Sequence, residues 1–238
     1  MEAMTAMRKK SAAAIVAAGG SGKRMGGSVP KQLLEIRDKP ILVYTLEKLD
    51  RVPEIGAIAL AVPSLILDDV RRRIAGWNLR KKIIVVQGGA ERQDSVRRAL
   101  EEVPEDAGLV LVHDAVRPFV SVEKIREILS AADRDGSAIP ALKVKNTVKR
   151  GTDGWVKGTV DRSDLYEVQT PQAFRREILV RAYEKAAADG FSGTDDSQLV
   201  ERLGLPVRII AGEETNIKIT SPEDLRVAEI LALEETCG

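Results

Sequence analysis

The sequence has little of the material from which several kinds of site are built. It contains one cysteine, Cys237, and one histidine, His113, which excludes a disulfide within the chain and a metal site made of several cysteines or histidines. Aromatic residues make up 3% of the chain, and 37 basic residues balance 36 acidic ones to a net charge of +1. A base-stacking platform and a basic nucleic-acid-binding surface are therefore both disfavoured.

Long apolar segments are also missing. No run approaches the roughly 18 apolar residues that a membrane-spanning helix needs, and the stretch from Met1 to Lys10 lacks the apolar core of a signal peptide. These absences predict a cytoplasmic protein in which residues 1–9 form a disordered extension. The rest, residues 10–238 of a chain that is 44% hydrophobic, is long enough for a single domain with its own core.

Short apolar runs alternate with helical patterns along that domain. The predicted strands are Ala12–Ala18, Ala57–Val62, Ile83–Gln87, Leu109–His113, Gly136–Leu142 and Val207–Ile210. The predicted helices are Ile41–Leu49, Leu65–Ala75, Glu91–Glu102, Val122–Ala132 and Arg175–Asp189. Apolar strands separated by helices predict a Rossmann-like α/β fold, with a mostly parallel sheet and helices on both faces. Ligands bind such sheets beyond the carboxyl ends of the strands.

One segment, 143–160, departs from this alternation. Partly alternating residues up to Arg150 are followed by the turn Gly151–Gly154 and then by Trp155–Val160, which predicts a protruding β-hairpin. A hairpin alone is only marginally stable. Two interpretations are therefore open: an arm that packs against a second subunit, or a solvated flap on its own chain.

A cationic, glycine-rich segment follows the first predicted strand. Glycines within Gly19–Gly22 precede Lys23 and Arg24, Lys31 follows in Pro30-Lys31-Gln32, and no acidic residue lies among them. Glycines let backbone N–H groups approach phosphate oxygens, and the cations neutralise charge that develops in nucleotidyl transfer. The spacing fits neither a Walker loop nor a Rossmann fingerprint. An ordinary strand-to-helix turn is the alternative, but the clustered cations favour a polyphosphate-binding loop.

Two further predicted strands end in polar motifs. After Gly88-Gly89, Ser95 or nearby backbone groups are candidates for contacting a base edge, unless the segment is only a polar helix N-terminus. Asp114 ends another strand, where a carboxylate suits Mg²⁺, an ion that takes one or two carboxylates together with substrate phosphates. Arg117 is a candidate partner of Asp114 or of a phosphate. His113 is interpreted mainly as a histidine with satisfied hydrogen bonds.

Three downstream segments carry no decisive functional signal of their own. Arg162, at the base of the predicted hairpin, is interpreted as a surface cation. The segment Thr194-Asp195-Asp196 precedes a helical pattern and is typical of a capped helix start. Lys218, between two isoleucines, points either to solvent or into a site.

Taken in order, these segments resemble the 2-C-methyl-D-erythritol 4-phosphate cytidylyltransferase family. The similarity extends from Ala12 to Leu233, nearly the whole chain. The segments that carry it are Ala17-Ala18-Gly19, Gly22-Lys23-Arg24-Met25, Pro30-Lys31-Gln32, Gly88-Gly89, Arg92, Asp94-Ser95-Val96, His113-Asp114-Ala115-Val116-Arg117-Pro118, Asp161-Arg162, Thr170-Pro171-Gln172, Thr194-Asp195-Asp196 and Asn216-Ile217-Lys218-Ile219-Thr220. The ordered set is far more specific than any one segment.

The resemblance implies a Mg²⁺-dependent enzyme that transfers CMP from CTP to 2-C-methyl-D-erythritol 4-phosphate and releases pyrophosphate, in non-mevalonate isoprenoid biosynthesis. It also implies a homodimer clasped by the hairpin arm, with Arg162 reaching the neighbouring site. The implied catalytic residues are Arg24 and Lys31. The implied nucleotide-binding residues are Ala17, Ala18, Gly19, Gly20, Gly22, Lys23, Gly89, Ala90, Ser95, Asp114 and Ala115. The implied substrate-binding residues are Arg117, Arg162, Thr170, Thr194 and Lys218, and Asp114 is the implied metal ligand.

Two other functions stay open at this point. A cytidylyltransferase acting on ribitol 5-phosphate shares the first loop, although the segment Asn216–Thr220 favours methylerythritol phosphate. A nucleotide-binding regulator without turnover would keep the fold, but the joint presence of Arg24, Lys31 and Asp114 argues against it. Neither a nucleic-acid nor a membrane partner is expected.

Overall fold

A computed structural model of the protein describes residues 11–19 and 30–237. The predicted extension 1–9 lies outside the described residues. So do Gly20, Gly22, Lys23 and Arg24 of the predicted phosphate-binding loop.

Strands and helices alternate over most of the described chain. The strands are β1 (Ala12–Ala17), β2 (Glu35–Ile36), β3 (Lys39–Pro40), β4 (Ile55–Val62), β5 (Lys82–Gln87), β6 (Leu109–Asp114), β7 (Ser137–Lys143), β8 (Val148–Thr152), β9 (Trp155–Val160), β10 (Tyr166–Val168), β11 (Gln172–Arg175) and β12 (Arg208–Ala211). The α-helices are α1 (Ile41–Asp50), α2 (Ser64–Arg73), α3 (Arg92–Glu101), α4 (Val122–Asp135), α5 (Arg176–Ala188), α6 (Asp196–Glu201) and α7 (Pro222–Cys237). None of the described helices is long and apolar enough to cross a bilayer.

Eight strands form the central sheet. Seven lie in the order β10-β7-β11-β6-β1-β4-β5, and β12 also pairs with β7. The pairs β1–β4, β1–β6, β4–β5 and β7–β12 are parallel, whereas β10 and β11 run antiparallel to their neighbours. The predicted α/β fold with a mostly parallel sheet is therefore confirmed. The parallel centre brings the carboxyl ends of β1 and β6 side by side.

The sheet is covered on both faces, and β1 shows this residue by residue. Ala14 and Val16 pack into a cluster with residues of α1, α2 and α4, whereas Ala13 and Ile15 pack into a second cluster with residues of α3, α5 and α6. Successive side chains of a strand point to opposite faces, so a strand buried on both sides must be apolar throughout. Full burial of an Ile or Val side chain contributes roughly 1.5–3 kcal/mol to folding.

Two differences from the predicted elements have local causes. Helix α4 continues to Asp135, beyond the predicted end at Ala132, because Gly136 with its φ of 94° supplies the left-handed residue that ends it. Strand β11 is not among the predicted strands because its sequence gives little strand signal. It is short, follows Pro171, and begins and ends with the polar residues Gln172 and Arg175.

Strands β8 and β9 form a separate hairpin and, within the described chain, pair only with each other. Lys143, where the predicted hairpin segment begins, is the last residue of β7, and the hairpin strands start at Val148. Trp155 is 75% exposed and Val156 is 66% exposed. The hairpin therefore presents apolar side chains that the described residues, 11–19 and 30–237, do not cover.

Candidate active site

Backbone and side chains from several loops meet in a cavity of about 480 Å³ at the carboxyl ends of β1 and β6. The residues that line it are Ala17, Ala18, Gly19, Lys31, Gln32, Ala90, Glu91, Arg92, Asp114, Ala115, Val116 and Lys218. Eight of them are among the predicted site residues, namely Ala17, Ala18, Gly19, Lys31, Ala90, Asp114, Ala115 and Lys218. The structure thus brings together residues that lie 201 positions apart in the sequence.

The first wall of the cavity is the end of β1 and the turn that carries Lys31. Ala18 donates its backbone N–H to the carbonyl oxygen of Ala61 at 2.8 Å, which extends the β1–β4 ladder by one residue. The buried side chain of Gln32 donates through Nε2 to the carbonyl oxygen of Ala18 at 2.8 Å. Gln32 thereby ties the 3-10 turn Lys31–Leu33 to the strand end. Sequence reasoning gave Gln32 no role of its own, although it is the residue next to Lys31.

The second wall is the loop between β5 and α3, and Ser95 shapes it. The Ser95 hydroxyl accepts the N–H of Gly89 at 3.0 Å and donates to the carbonyl oxygen of Glu91 at 3.1 Å. Ser95 is completely buried and does not line the cavity, whereas Ala90 does. The structure therefore places the Ser95 hydroxyl beneath the loop, where it holds the backbone of residues 89–91.

Asp114 lies at the centre of a charged cluster. Its Oδ1 accepts from Arg92 Nε at 3.0 Å, and its Oδ2 accepts from Lys218 Nζ at 2.7 Å. Burial alone would raise the pKa of Asp114, but the neighbouring Arg92 and Lys218 outweigh it and hold the pKa well below its usual range. Asp114 is therefore ionised, and it keeps the Lys218 ammonium at the cavity.

Arg92 extends this cluster away from the cavity. Its Nη2 donates to Asp196 Oδ2 at 2.7 Å, and the other oxygen of Asp196 accepts from the Tyr183 hydroxyl at 2.6 Å. Burial disfavours the charged guanidinium, but the carboxylates of Asp196 and Asp114 more than offset it and raise the pKa of Arg92. Burial, reinforced by Asp196, raises the pKa of Tyr183 well above its usual range. The predicted site residues include neither Arg92 nor Asp196.

His113 is held inside the protein by two hydrogen bonds. Its Nε2 lies 3.0 Å from the carbonyl oxygen of Arg117, which only accepts, so Nε2 carries the proton. Its Nδ1 therefore accepts from the Thr170 hydroxyl at 2.9 Å, and Thr170 Oγ1 in turn accepts the N–H of Asp114 at 3.0 Å. Burial lowers the pKa of His113 to about 4. The histidine is neutral and structural, as the sequence interpretation favoured.

The other predicted substrate-binding residues do not line this cavity. The Thr170 hydroxyl faces His113, and Arg117 Nη1 donates to the carbonyl oxygen of Asn216 at 2.7 Å. Thr194 is exposed beside α6, where its N–H donates to Gln198 Oε1 at 2.8 Å. Arg162 is exposed at the base of the hairpin and donates to the carbonyl oxygen of Lys145. Their contact with a substrate stays a prediction.

The donor set for a metal ion is sparse. Within residues 11–19 and 30–237, no three His, Cys, Asp or Glu side chains lie close enough to hold an ion by themselves. The carboxylates at the cavity are Asp114 and Glu91. Each oxygen of Asp114 accepts one hydrogen bond and keeps lone pairs for a cation. This arrangement fits Mg²⁺, which is usually held by one or two carboxylates and by phosphate oxygens.

Comparison with known proteins places the whole chain in one family. The sequence model of 2-C-methyl-D-erythritol 4-phosphate cytidylyltransferase, IspD, matches residues 12–234. The protein of that name from Syntrophus aciditrophicus is 47% identical over 229 residues, which are 95% of this chain and 98% of the relative. The one from Symbiobacterium thermophilum is 45% identical over 93% of this chain and 92% of its own length.

Solved structures agree with the sequence comparison. The crystal structure of 4-diphosphocytidyl-2C-methyl-D-erythritol synthase from Anaerococcus prevotii has a TM-score of 0.83 and 35% identity, with coverage of 94% of this chain and 97% of that one. The 2-C-methyl-D-erythritol 4-phosphate cytidylyltransferase from Thermus thermophilus has a TM-score of 0.77 and 33% identity, with coverage of 93% and 98%. The resemblance found in the sequence is therefore confirmed: this chain belongs to the 2-C-methyl-D-erythritol 4-phosphate cytidylyltransferase family.

Proposed function

We propose that this chain transfers the cytidylyl group of CTP to 2-C-methyl-D-erythritol 4-phosphate in non-mevalonate isoprenoid biosynthesis, and that it uses Mg²⁺. Family membership supports the reaction and both substrates. The structural observation that carries the proposal is that Lys31 and Lys218 line the same cavity as Gly19, beyond the ends of β1 and β6. Cations and a backbone turn at that edge of a parallel sheet suit a nucleotide phosphate.

The reaction needs no nucleophile from the protein. A phosphate oxygen of methylerythritol phosphate attacks the α-phosphorus of CTP, the bond from that phosphorus to the oxygen that bridges to the β-phosphorus breaks, and pyrophosphate leaves. Both reactants are anions, so the barrier consists mostly of charge repulsion and alignment. Positioned cations that meet the developing charge therefore provide most of the catalysis.

The cavity residues divide naturally between these tasks. Lys31 stabilises the α-phosphate in the transition state, together with Arg24, which lies outside the described residues. The backbone of Ala17–Gly19 supports the nucleotide, and Ala90 faces the cytosine. Lys218, held by Asp114 at 2.7 Å, meets the phosphate of the attacking substrate.

Asp114 is the residue that would bind Mg²⁺, jointly with phosphate oxygens of CTP. Bound there, the ion would neutralise charge on the triphosphate. Removing divalent metal with EDTA is expected to abolish turnover, and adding Mg²⁺ back is expected to restore it. Full turnover in EDTA would contradict the role of the metal.

The proposal includes a homodimer formed through the hairpin, because Trp155 and Val156 are exposed on an arm that no other part of the described chain covers. Light scattering after gel filtration is expected to give a dimer for the wild type and a monomer for Trp155→Ser/Val156→Ser. Ile230→Ser, which removes an apolar side chain that is 59% exposed on α7, is the matched control and is expected to stay dimeric. The cytoplasmic location stays a prediction from the sequence.

The deciding experiment measures pyrophosphate release with CTP and Mg²⁺, with methylerythritol 4-phosphate and ribitol 5-phosphate offered in parallel. Methylerythritol 4-phosphate is expected to be strongly preferred. Preference for ribitol 5-phosphate would overturn the assigned alcohol substrate and keep the transferase chemistry. Absence of release with either substrate would overturn the transferase itself.

A further inference from the structure

A continuous chain of charged and hydrogen-bonding groups runs from the protein interior to the cavity. Tyr183 Oη donates to Asp196 Oδ1 at 2.6 Å, and Asp196 Oδ2 accepts from Arg92 Nη2 at 2.7 Å. Arg92 Nε donates to Asp114 Oδ1 at 3.0 Å, and Asp114 Oδ2 accepts from Lys218 Nζ at 2.7 Å. The five residues come from α5, α6, the start of α3, the end of β6 and the segment before α7.

The inner two residues of this hydrogen-bonded series, Tyr183 and Asp196, cannot touch a substrate. Asp196 is 1% exposed and Tyr183 is 3% exposed, and neither lines the cavity, whereas Arg92, Asp114 and Lys218 do. A buried ion pair adds little stability over apolar residues of the same volume, since desolvation offsets much of the attraction. We therefore expect Asp196 to act by arranging the groups between it and the cavity, which are Arg92, Asp114 and Lys218.

The geometry of the guanidinium shows what that arrangement is. An arginine fork next to one carboxylate tends to bind both of its oxygens. Here Asp196 draws Nη2 of Arg92 in another direction, so Arg92 reaches only Oδ1 of Asp114. Oδ2 of Asp114 is left to hold the Lys218 ammonium.

We propose that Asp196 is a positioning residue for cytidylyl transfer, which holds Arg92 away from one oxygen of Asp114 so that this oxygen fixes Lys218 at the cavity. The inference rests on the proposed function, in which Lys218 meets the phosphate of methylerythritol 4-phosphate. Tyr183 supports the same arrangement from behind, because its hydroxyl holds the second oxygen of Asp196.

The first test separates the two Michaelis constants. Asp196→Asn is expected to raise KM for methylerythritol 4-phosphate about tenfold, because small displacements of a positioning group weaken substrate alignment strongly, while KM for CTP stays close to the wild-type value. Tyr183→Phe, a milder change, is expected to shift the same constant in the same direction by a smaller factor. An Asp196→Asn variant with both constants unchanged, or with both raised equally, would overturn the proposal.

Asp195→Asn is the matched control. Asp195 is the adjacent carboxylate at the start of the same helix, where it accepts from Gln172 Nε2 at 2.7 Å, Gln198 N at 2.9 Å and Ser197 Oγ at 2.8 Å. These contacts stay behind the cavity, so the control removes a charge and a cap without touching Arg92. Its KM for methylerythritol 4-phosphate is expected to stay within about twofold of the wild type, because none of the hydrogen-bond partners of Asp195 is Arg92 or Tyr183, the two partners of Asp196.

A double-mutant cycle with Lys218→Met asks whether Asp196 acts through Lys218. If it does, Asp196→Asn has little further effect on KM for methylerythritol 4-phosphate once Lys218 is gone. If the effects of the two substitutions on this KM multiply in the double variant, the proposal is overturned and Asp196 only supports the fold in general.

A measurement without substrate tests the positioning role of Asp196 even if the enzyme does not turn over. Exchange of the Lys218 ammonium protons with water, followed by ¹⁵N NMR, is expected to be at least about tenfold faster in Asp196→Asn than in the wild type and in Asp195→Asn. In that variant Arg92 is expected to turn to both oxygens of Asp114 and to release the ammonium that Oδ2 holds at 2.7 Å. Unchanged exchange in Asp196→Asn would overturn the positioning role. If the wild type released no pyrophosphate, the proposed function would fail, and this measurement would still decide whether Asp196 fixes Lys218 at the cavity.

Discussion

A Cβ atom placed on Gly19 would lie 2.6 Å from Oγ of Ser95, closer than Cβ atoms approach an oxygen to which they are not bonded. The same Oγ accepts the N–H of Gly89 at 3.0 Å. The loop after β1 and the loop after β5 are therefore packed on one buried hydroxyl. Since the first is expected to hold phosphates and the second cytosine, this contact sets the distance between the two ends of the nucleotide site.

Gly19→Ala is expected to lower kcat/KM for CTP by at least about tenfold, because the added methyl group must push the two loops apart and misplaced binding groups lose transition-state stabilisation. Steady-state kinetics at saturating methylerythritol 4-phosphate measure this. Gly76→Ala is the control, since a Cβ there meets nothing within 4 Å. A Gly19→Ala enzyme as efficient as the control would show that the contact is not needed.

Lys31→Ala is expected to lower kcat on the order of 10²–10³-fold, which is typical of removing one group that stabilises transition-state charge. Lys31 lines the cavity on the turn that Gln32 ties to β1. Lys185→Ala removes a lysine of α5 that pairs with Asp189 at the surface, and it is expected to leave turnover unchanged. A near-normal rate constant for Lys31→Ala in single-turnover assays would refute the catalytic role of Lys31.

The parts of the molecule that sequence reasoning predicted well have strong local signals. Strands β1 and β6 are apolar runs buried on both faces, and the ends of both were predicted to within one residue. The loops that follow them carry Gly19 and Asp114, and the rule that ligands bind beyond the strand ends correctly brought these two residues to one cavity.

The contacts that sequence reasoning missed join residues that are distant in the sequence. Arg92 and Asp196 are 104 residues apart, and nothing near either position reveals that they meet at 2.7 Å. The sequence predicts a helix cap at Thr194-Asp195-Asp196, and this is correct for Asp195, whose side chain accepts the N–H of Gln198. Two adjacent acids at a helix start thus have different partners, which only the tertiary structure distinguishes.

Mixing two inactive variants tests whether Arg162 acts across a dimer. If it does, a heterodimer of Lys31→Ala and Arg162→Ala subunits contains one complete site, because Lys31 of one chain meets Arg162 of the other. Random exchange makes half the dimers mixed, with one working site in two, so recovery of about a quarter of wild-type activity is expected for a symmetric dimer. Recovery is measured after subunit exchange, with each variant alone as the blank. Activity no higher than the blanks would place Arg162 in its own chain's site.

His113 connects the site to the pH dependence of stability. Burial lowers its pKa to about 4 in the folded protein, while an exposed histidine in the unfolded chain titrates near 6.5. Between these two pH values the unfolded chain binds a proton that the folded protein does not. The contribution of His113 to the free energy of unfolding is therefore largest above pH 6.5 and is lost as the pH drops towards 4.

Urea unfolding of the metal-free protein at pH 7 and pH 5 measures this effect. The loss attributable to His113 over that interval is expected to be roughly 2 kcal/mol, from 1.36 kcal/mol for each pH unit below the unfolded pKa. His113→Gln keeps a donor towards the carbonyl oxygen of Arg117 and has no titrating group, and because the chain holds no other histidine, its own loss over the interval reports the remaining groups. A wild type and a variant that lose the same free energy would mean that His113 is protonated in the fold, and the Thr170 hydroxyl would then not be its donor.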